Sequence, residues 1–256
     1  MPFRQAPDYL LISEAVAAIF TVARLLQFHL WRRFPFLISY LVVLSIRAAS
    51  LSVLDDTSGA YFRVYLAASP LICCVASLAV REMFALIFRD YPGVRTVGRW
   101  ALYVALAVSV VVWLLIIKAP WPGESQYTRW LFYELVFERS ITFGLAAIIV
   151  VLMIFLSRYP LDLDRNTYCA SGFFSAMFLA QAVVRLVDSL SPRLFAFYAD
   201  YPEVAFTALC LVGWGIMLQP ANAAARVHTP TNKRRETELL QQLESLNSIL
   251  SRSVHR

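Results

Sequence analysis

The sequence predicts an all-α integral membrane protein: a bundle of seven transmembrane helices, N-terminus outside and C-terminus cytoplasmic, followed by a short amphipathic helix. Three observations carry this. Seven stretches each supply the run of about 20 mostly apolar residues that a helix needs to cross roughly 30 Å of hydrocarbon. The 256-residue composition is 59% hydrophobic and only 16% charged, where an average soluble domain is about 25% charged. Lys and Arg also concentrate in every second gap between the stretches.

The spans run from Tyr9 to Leu30, Phe36 to Leu54, Tyr61 to Phe88, Trp100 to Ile117, Trp130 to Leu156, Thr167 to Leu190 and Val204 to Leu218. They are continuous rather than alternating, so helices are expected in place of a β-barrel, each satisfying its own backbone polar groups within lipid. The chain divides into this bundle, residues 1–220, and a cytoplasmic linker and helix, residues 221–256.

Orientation follows from the retention of Lys and Arg on the cytoplasmic side. Arg32, Arg33, Arg89, Arg95, Arg99, Arg158 and Arg165 fall in the first, third and fifth gaps, and the tail adds six more basic residues. The opposite side carries Arg4, Arg63, Lys118, Arg129 and Arg193, beside Asp55, Asp56, Asp200 and Glu203. The net charge of +6 is therefore read as a topology signal and an attraction for anionic lipid, not as a nucleic-acid surface. Residues 1–8 lack the pattern of a cleavable signal peptide, so the first span is expected to target the chain to the inner, plasma membrane.

Aromatic-proline pairs, Phe34-Pro35, Tyr91-Pro92, Tyr159-Pro160 and Tyr201-Pro202, punctuate the helix boundaries, with Pro starting or ending a helix at the headgroup level. Cys73, Cys74, Cys169 and Cys210 all lie within spans and are read as small apolar packers. Ser171, Gly172, Gly144, Gly213 and Gly215 are expected to let helices pack closely.

The informative residues are the ionisable ones inside the spans, because a charge at bilayer depth costs at least ~2.5 kcal/mol on insertion scales. Arg47 lies about 16 Å into the second span, counted from Phe36 at 1.5 Å per residue. An outer tier surrounds it: Glu14, then Glu134 and Glu138 four residues apart on one helical face with Arg139 adjacent, and Arg185 with Asp188 three residues on. Tyr61, Tyr65 and Tyr133 sit near the same end. An inner tier comprises Arg24, Arg81 and Glu82. Each is read either as an interhelical strut or interfacial anchor, or, for the outer set, as the lining of an outward-facing ligand pocket.

Recognisable catalytic chemistry is missing. His29, His228 and His255 are too scattered for a zinc or bis-His haem site, so no metal and no cofactor are expected. The seventh span has no Lys for a retinal Schiff base. There is no Gly-rich phosphate loop, and Ser171-Gly172 has no evident base. The chain is expected not to be an enzyme. A transporter would show repeated helix bundles around a midplane site, and spans one to three share no motif with spans five to seven.

Past Pro220 the composition turns polar, and Thr231 or Asn232 is positioned to cap a helix reaching about Ser251. Leu239, Leu243, Leu246 and Leu250 recur at four, three and four residues, a heptad seam of two repeats. Three roles stay open for it: lying on the inner membrane surface, joining a second copy, or docking a cytoplasmic signalling partner.

Seven spans, an outer polar tier and a leucine-patterned helix leaving the last span resemble the membrane sensor modules of bacterial histidine kinases. The stretches Val80-Arg81-Glu82-Met83-Phe84 and Phe88-Arg89-Asp90-Tyr91-Pro92-Gly93 are also similar to bacterial seven-helix proteins of this size that have no assigned activity. The sensor resemblance implies a bundle that senses and a helix that transmits. The chain ends at Arg256 without a kinase domain, so a separate partner is expected to supply the output. A small-solute transporter or channel, and a structural membrane scaffold, are the alternatives.

Overall fold

A computed structural model of the chain describes residues 8–54, 58–89, 91–118, 126–158, 163–190, 200–220 and 226–227, together with 241 and 245. Within this set the α-helices are α1 (Asp8–Gln27), α2 (Pro35–Val53), α3 (Gly59–Ile87), α4 (Pro92–Ile117), α5 (Gln126–Arg158), α6 (Arg165–Leu190) and α7 (Asp200–Met217). Six are long and apolar enough to cross a membrane, and the apolar part of α7, Tyr201–Met217, is shorter. The chain is a helical multipass membrane protein.

Local chemistry sets the boundaries. Pro35 and Pro92 occupy the first turns of α2 and α4, where the absent N–H costs nothing and the fixed φ suits a helix. Phe34 and Tyr91 before them are held out of the helical region, as a following Pro requires. Ser58 starts α3 by accepting the Tyr61 N–H at 3.1 Å. His29 adopts φ 56°, a left-handed residue that ends α1 and leads into a 3-10 turn, Leu30–Arg32. The first span therefore closes earlier than expected. The fourth opens earlier, at Pro92, so Arg95 and Arg99 ride on the first turns of α4 rather than in a loop. Helix α3 continues through Pro70 for 29 residues, about 43 Å at 1.5 Å per residue, too long to cross upright.

Neighbour relations make a ring: α1 packs on α2 and α7, α2 on α3, α3 on α5, α5 on α6, and α6 on α7. Helix α4 stands outside it, packed chiefly on α5 and more lightly on α3. Its outer stripe of Trp100, Val104, Val108, Val111 and Leu115 is exposed, the surface expected of a helix bathed in acyl chains. Lipid is as apolar as Leu, so cohesion comes from packing and interhelical hydrogen bonds. Leu25, Leu30, Phe34, Leu37, Leu41, Met83 and Phe88 fill the end of the ring nearest the α1–α2 turn, each almost fully buried. Phe88 meets Phe155 edge-to-face at 5.0 Å.

Glycines license the closest approaches. A Cβ on Gly215 of α7 would stand 2.6 Å from Phe20 of α1, and one turn earlier the Thr21 hydroxyl reaches the Leu211 carbonyl at 2.8 Å. A Cβ on Gly144 of α5 would collide with the Ser109 hydroxyl of α4. Gly172, expected to pack likewise, has open space where a Cβ would go. Gly144→Leu should accordingly lower stability by about 1–3 kcal/mol, the usual cost of overpacking. Gly172→Ala should leave it unchanged or slightly raised, by removing a helix-interior glycine. Thermal melts of both variants in one detergent check this pair.

Two short extended segments lie at the end of the bundle that holds the α1–α2 turn, Asp164 meeting Arg33 at 3.0 Å. Leu163–Asp164 pairs antiparallel with Arg226–Val227, so the start of the expected linker is tied to the α5–α6 connection. Gln241 and Ser245 are helical and exposed. The seam residues Leu239, Leu243, Leu246 and Leu250 lie outside the described residues.

Candidate functional site

The ring encloses a cavity of about 80 Å³ lined from α1, α2, α3, α5, α6 and α7. It lies toward the end of the bundle that carries the start of α1. Its charged lining is Glu14, Arg47, Glu138, Arg185 and Glu203, so four of the residues read as an outer tier converge, from α1, α2, α5 and α6, and α7 adds Glu203. Helix α4 contributes nothing to it.

Arg185 is the hub. Its guanidinium meets Glu138 of α5 at 2.8 Å and Glu203 of α7 at 3.5 Å, with both ends of the first pair close to fully buried. The other Glu138 oxygen accepts the Tyr65 hydroxyl of α3 at 3.1 Å. One ionic cluster thus ties α3, α5, α6 and α7 together. These contacts run across helices; the Asp188 side chain, expected to pair with Arg185 within α6, lies outside the described residues.

Arg47 is held differently. Its guanidinium lies over the Tyr65 ring, 5.3 Å from the centroid, and among the described residues no carboxylate comes within 4 Å of it. Glu14 is 8% exposed and likewise makes no ion pair or hydrogen bond with the described residues. The Ser69 hydroxyl, one residue before Pro70, is a third lining group, fully buried and without a hydrogen-bond partner among the described residues. Tyr40, Phe178 and Gln181 complete the polar and aromatic wall, Tyr40 packing edge-to-face on Phe174 at 5.8 Å.

The remaining candidates fall outside the cavity. Glu134 and Arg139 are half-buried on α5 and do not line it. Tyr61 joins Leu11, Leu51 and Tyr65 in a small apolar cluster. Tyr133 belongs to the interfacial aromatics, its hydroxyl accepting from Arg129 at 2.8 Å.

The inner residues do not assemble as a tier. Glu82 accepts the backbone N–H groups of Phe36 and Leu37 at 3.3 and 2.9 Å, capping from α3 the start of α2, where Phe34 offers no side-chain cap. Arg24 donates to the Gly215 carbonyl at 3.3 Å and stacks on Phe28. Arg81 is exposed. Arg33, read only as a topology signal, binds Asp164 at 3.0 Å and Thr167 at 2.8 Å.

Three lining residues carried no signal or a misleading one. Glu203 was counted among the outer-loop charges because the seventh span was expected to begin at Val204. Helix α7 instead starts at Asp200, which brings Glu203 into its first turn, where the helix dipole favours a carboxylate. Proline at 202 was the available clue. Ser69 and Gln181 are uncharged residues within apolar runs and gave none.

No protein-family model matches the chain, and neither the curated proteins nor the solved structures contain a match to it.

Proposed function

We propose that this is a ligand-sensing protein of the inner membrane, N-terminus outside, in which a small polar solute enters the ring cavity from the outer side and its occupancy is read at the cytoplasmic tail. The observation that carries the reading is the pair Arg47 and Glu14: two charges facing one enclosed cavity, neither paired to a described residue. A charge kept at bilayer depth without a structural partner is the mark of a functional group.

Coupling has a physical route. Helices α6 and α7 are clamped to each other at both ends, by Arg185–Glu203 in the cavity and by a reciprocal pairing at the opposite end. There the Asn166 amide donates to the Gln219 carbonyl at 2.8 Å and accepts the Gln219 N–H at 3.0 Å. A solute that draws on Arg185 or Glu203 shifts one end of a lever whose other end holds the base of the tail. The tail then presents its leucine seam to a separate partner.

The close apolar packing beneath the cavity, around Leu41, Met83 and Leu145, favours binding over a standing channel. The test uses purified protein in nanodiscs and in sealed vesicles with a panel of amino acids, simple amines and carboxylates. A compound that raises the melting temperature is expected to change the rate of tryptic cleavage at Lys233, Arg234 and Arg235 several-fold, without crossing the vesicle membrane. Uptake that depends on Arg47 and survives removal of residues 231–256 would overturn sensing in favour of transport.

A further inference from the structure

The reading of the cavity as a ligand site leaves open what chemistry it takes, and its charges narrow that. Arg185 is ion-paired with both Glu138 and Glu203. What faces the cavity beyond them is Arg47, Glu14 and the Ser69 hydroxyl.

Glu14 is six residues from the start of α1, and Arg47 is six residues from the end of α2. The two helices are sequential neighbours packed along their length and run in opposite directions across the bundle. Each residue is therefore about 9 Å from the same end of the bundle, at 1.5 Å per residue. Opposite charges at one level, on adjacent helices, with arms long enough to meet, ordinarily pair directly at such depth. Here they stay more than 4 Å apart, and Arg47 rests instead on Tyr65.

A simple anion on Arg47 would leave Glu14 uncompensated and would stand in the field of three lining carboxylates. A simple cation on Glu14 would balance the one excess negative charge of the lining but would leave the Arg47 guanidinium with no hydrogen-bond acceptor among the described residues. One molecule carrying both charges satisfies both groups. We propose that the cavity binds a small zwitterion, its carboxylate on the Arg47 guanidinium and its ammonium on the Glu14 carboxylate. The guanidinium offers a planar pair of donors that fits a carboxylate in bidentate fashion. The Ser69 hydroxyl, on the same cavity lining and without a hydrogen-bond partner among the described residues, supplies a further hydrogen bond to the solute. Leu11, Leu44, Leu51 and Ile72 wall the cavity, and its size suits a small solute rather than a lipid chain or a peptide. This assignment rests on the ligand-site reading above.

The test is equilibrium binding to the full chain in nanodiscs. The zwitterions are glycine, β-alanine, γ-aminobutyrate and glycine betaine, which vary the charge separation and the ammonium substitution. The single-charge controls are ethylamine, tetramethylammonium, acetate and butyrate. At least one zwitterion is expected to bind, with every control weaker by about thirtyfold or more, the effect of leaving one partner of a desolvated charge pair unmatched. Glu14→Gln, which preserves shape, is expected to erase the advantage of that zwitterion over acetate while the protein still melts cooperatively. Arg47→Ala should erase its advantage over ethylamine. Tighter binding of a control than of any zwitterion overturns the assignment and keeps the cavity as a ligand site. Binding of none of the eight compounds also overturns it, and the wider panel with tryptic cleavage then decides separately whether the sensing reading stands.

Discussion

Replacing Arg185 by alanine is expected to lower the stability of the bundle by about 3–5 kcal/mol, the cost of removing one partner from a buried ionic cluster. The loss exceeds the value of the contacts themselves. Glu138 and Glu203 would remain as two buried carboxylates near each other, the first still accepting the Tyr65 hydroxyl. Four helices meet at this cluster, so the expected signature is a broad loss of cooperativity as well as a lower melting temperature. The double replacement Arg185→Met with Glu138→Leu should recover much of the loss, since swapping a buried pair for apolar residues of similar volume is often close to neutral. Double-mutant cycles by thermal melting give both numbers. A single Arg185→Ala variant as stable as the wild type would mean that water or lipid headgroups already solvate the cluster.

Asn166→Ala is expected to cost about 2–4 kcal/mol, because it strands two backbone groups of Gln219 at once and each unsatisfied buried group costs about 1–3 kcal/mol. Asn166 is 1% exposed, so water does not readily replace the amide. The second consequence is specific to the sensing reading. The clamp between α6 and α7 opens at the tail end, and hydrogen exchange at the Gln219 amide should accelerate by orders of magnitude while the amides around Arg185 keep their protection. Equal acceleration at both ends would indicate global destabilisation and no independent lever.

Much of the site was legible because charge inside an apolar run is a loud signal. Glu14, Arg47, Glu138 and Arg185 stand out against their spans, and the structure gathers all four. Their partners were not legible, since pairing depends on which helices are neighbours. Every span is apolar toward both lipid and core, so the sequence carries no stripe that separates the ring helices from α4. Arg185 illustrates the consequence: the residue three positions along its own helix was the only partner spacing offers, whereas Glu138 and Glu203 arrive from α5 and α7. Glu203 was lost to a boundary four residues out of place. Glu82 shows the reverse case, a buried carboxylate whose work as a cap for α2 is structural and explains its depth without any ligand.

The contrast between Arg185 and Arg47 is the most direct test of a ligand site in this cavity. Both are arginines within spans, both line the cavity, and among the described residues only the first is in an ion pair. Melting Arg185→Ala and Arg47→Ala side by side in the same detergent, without ligand, should show a loss of several kcal/mol for the first. For the second it should stay within about 2 kcal/mol, the value of one desolvated cation–π contact. An Arg47→Ala variant as unstable as Arg185→Ala would make Arg47 a strut and remove the ground for a ligand site.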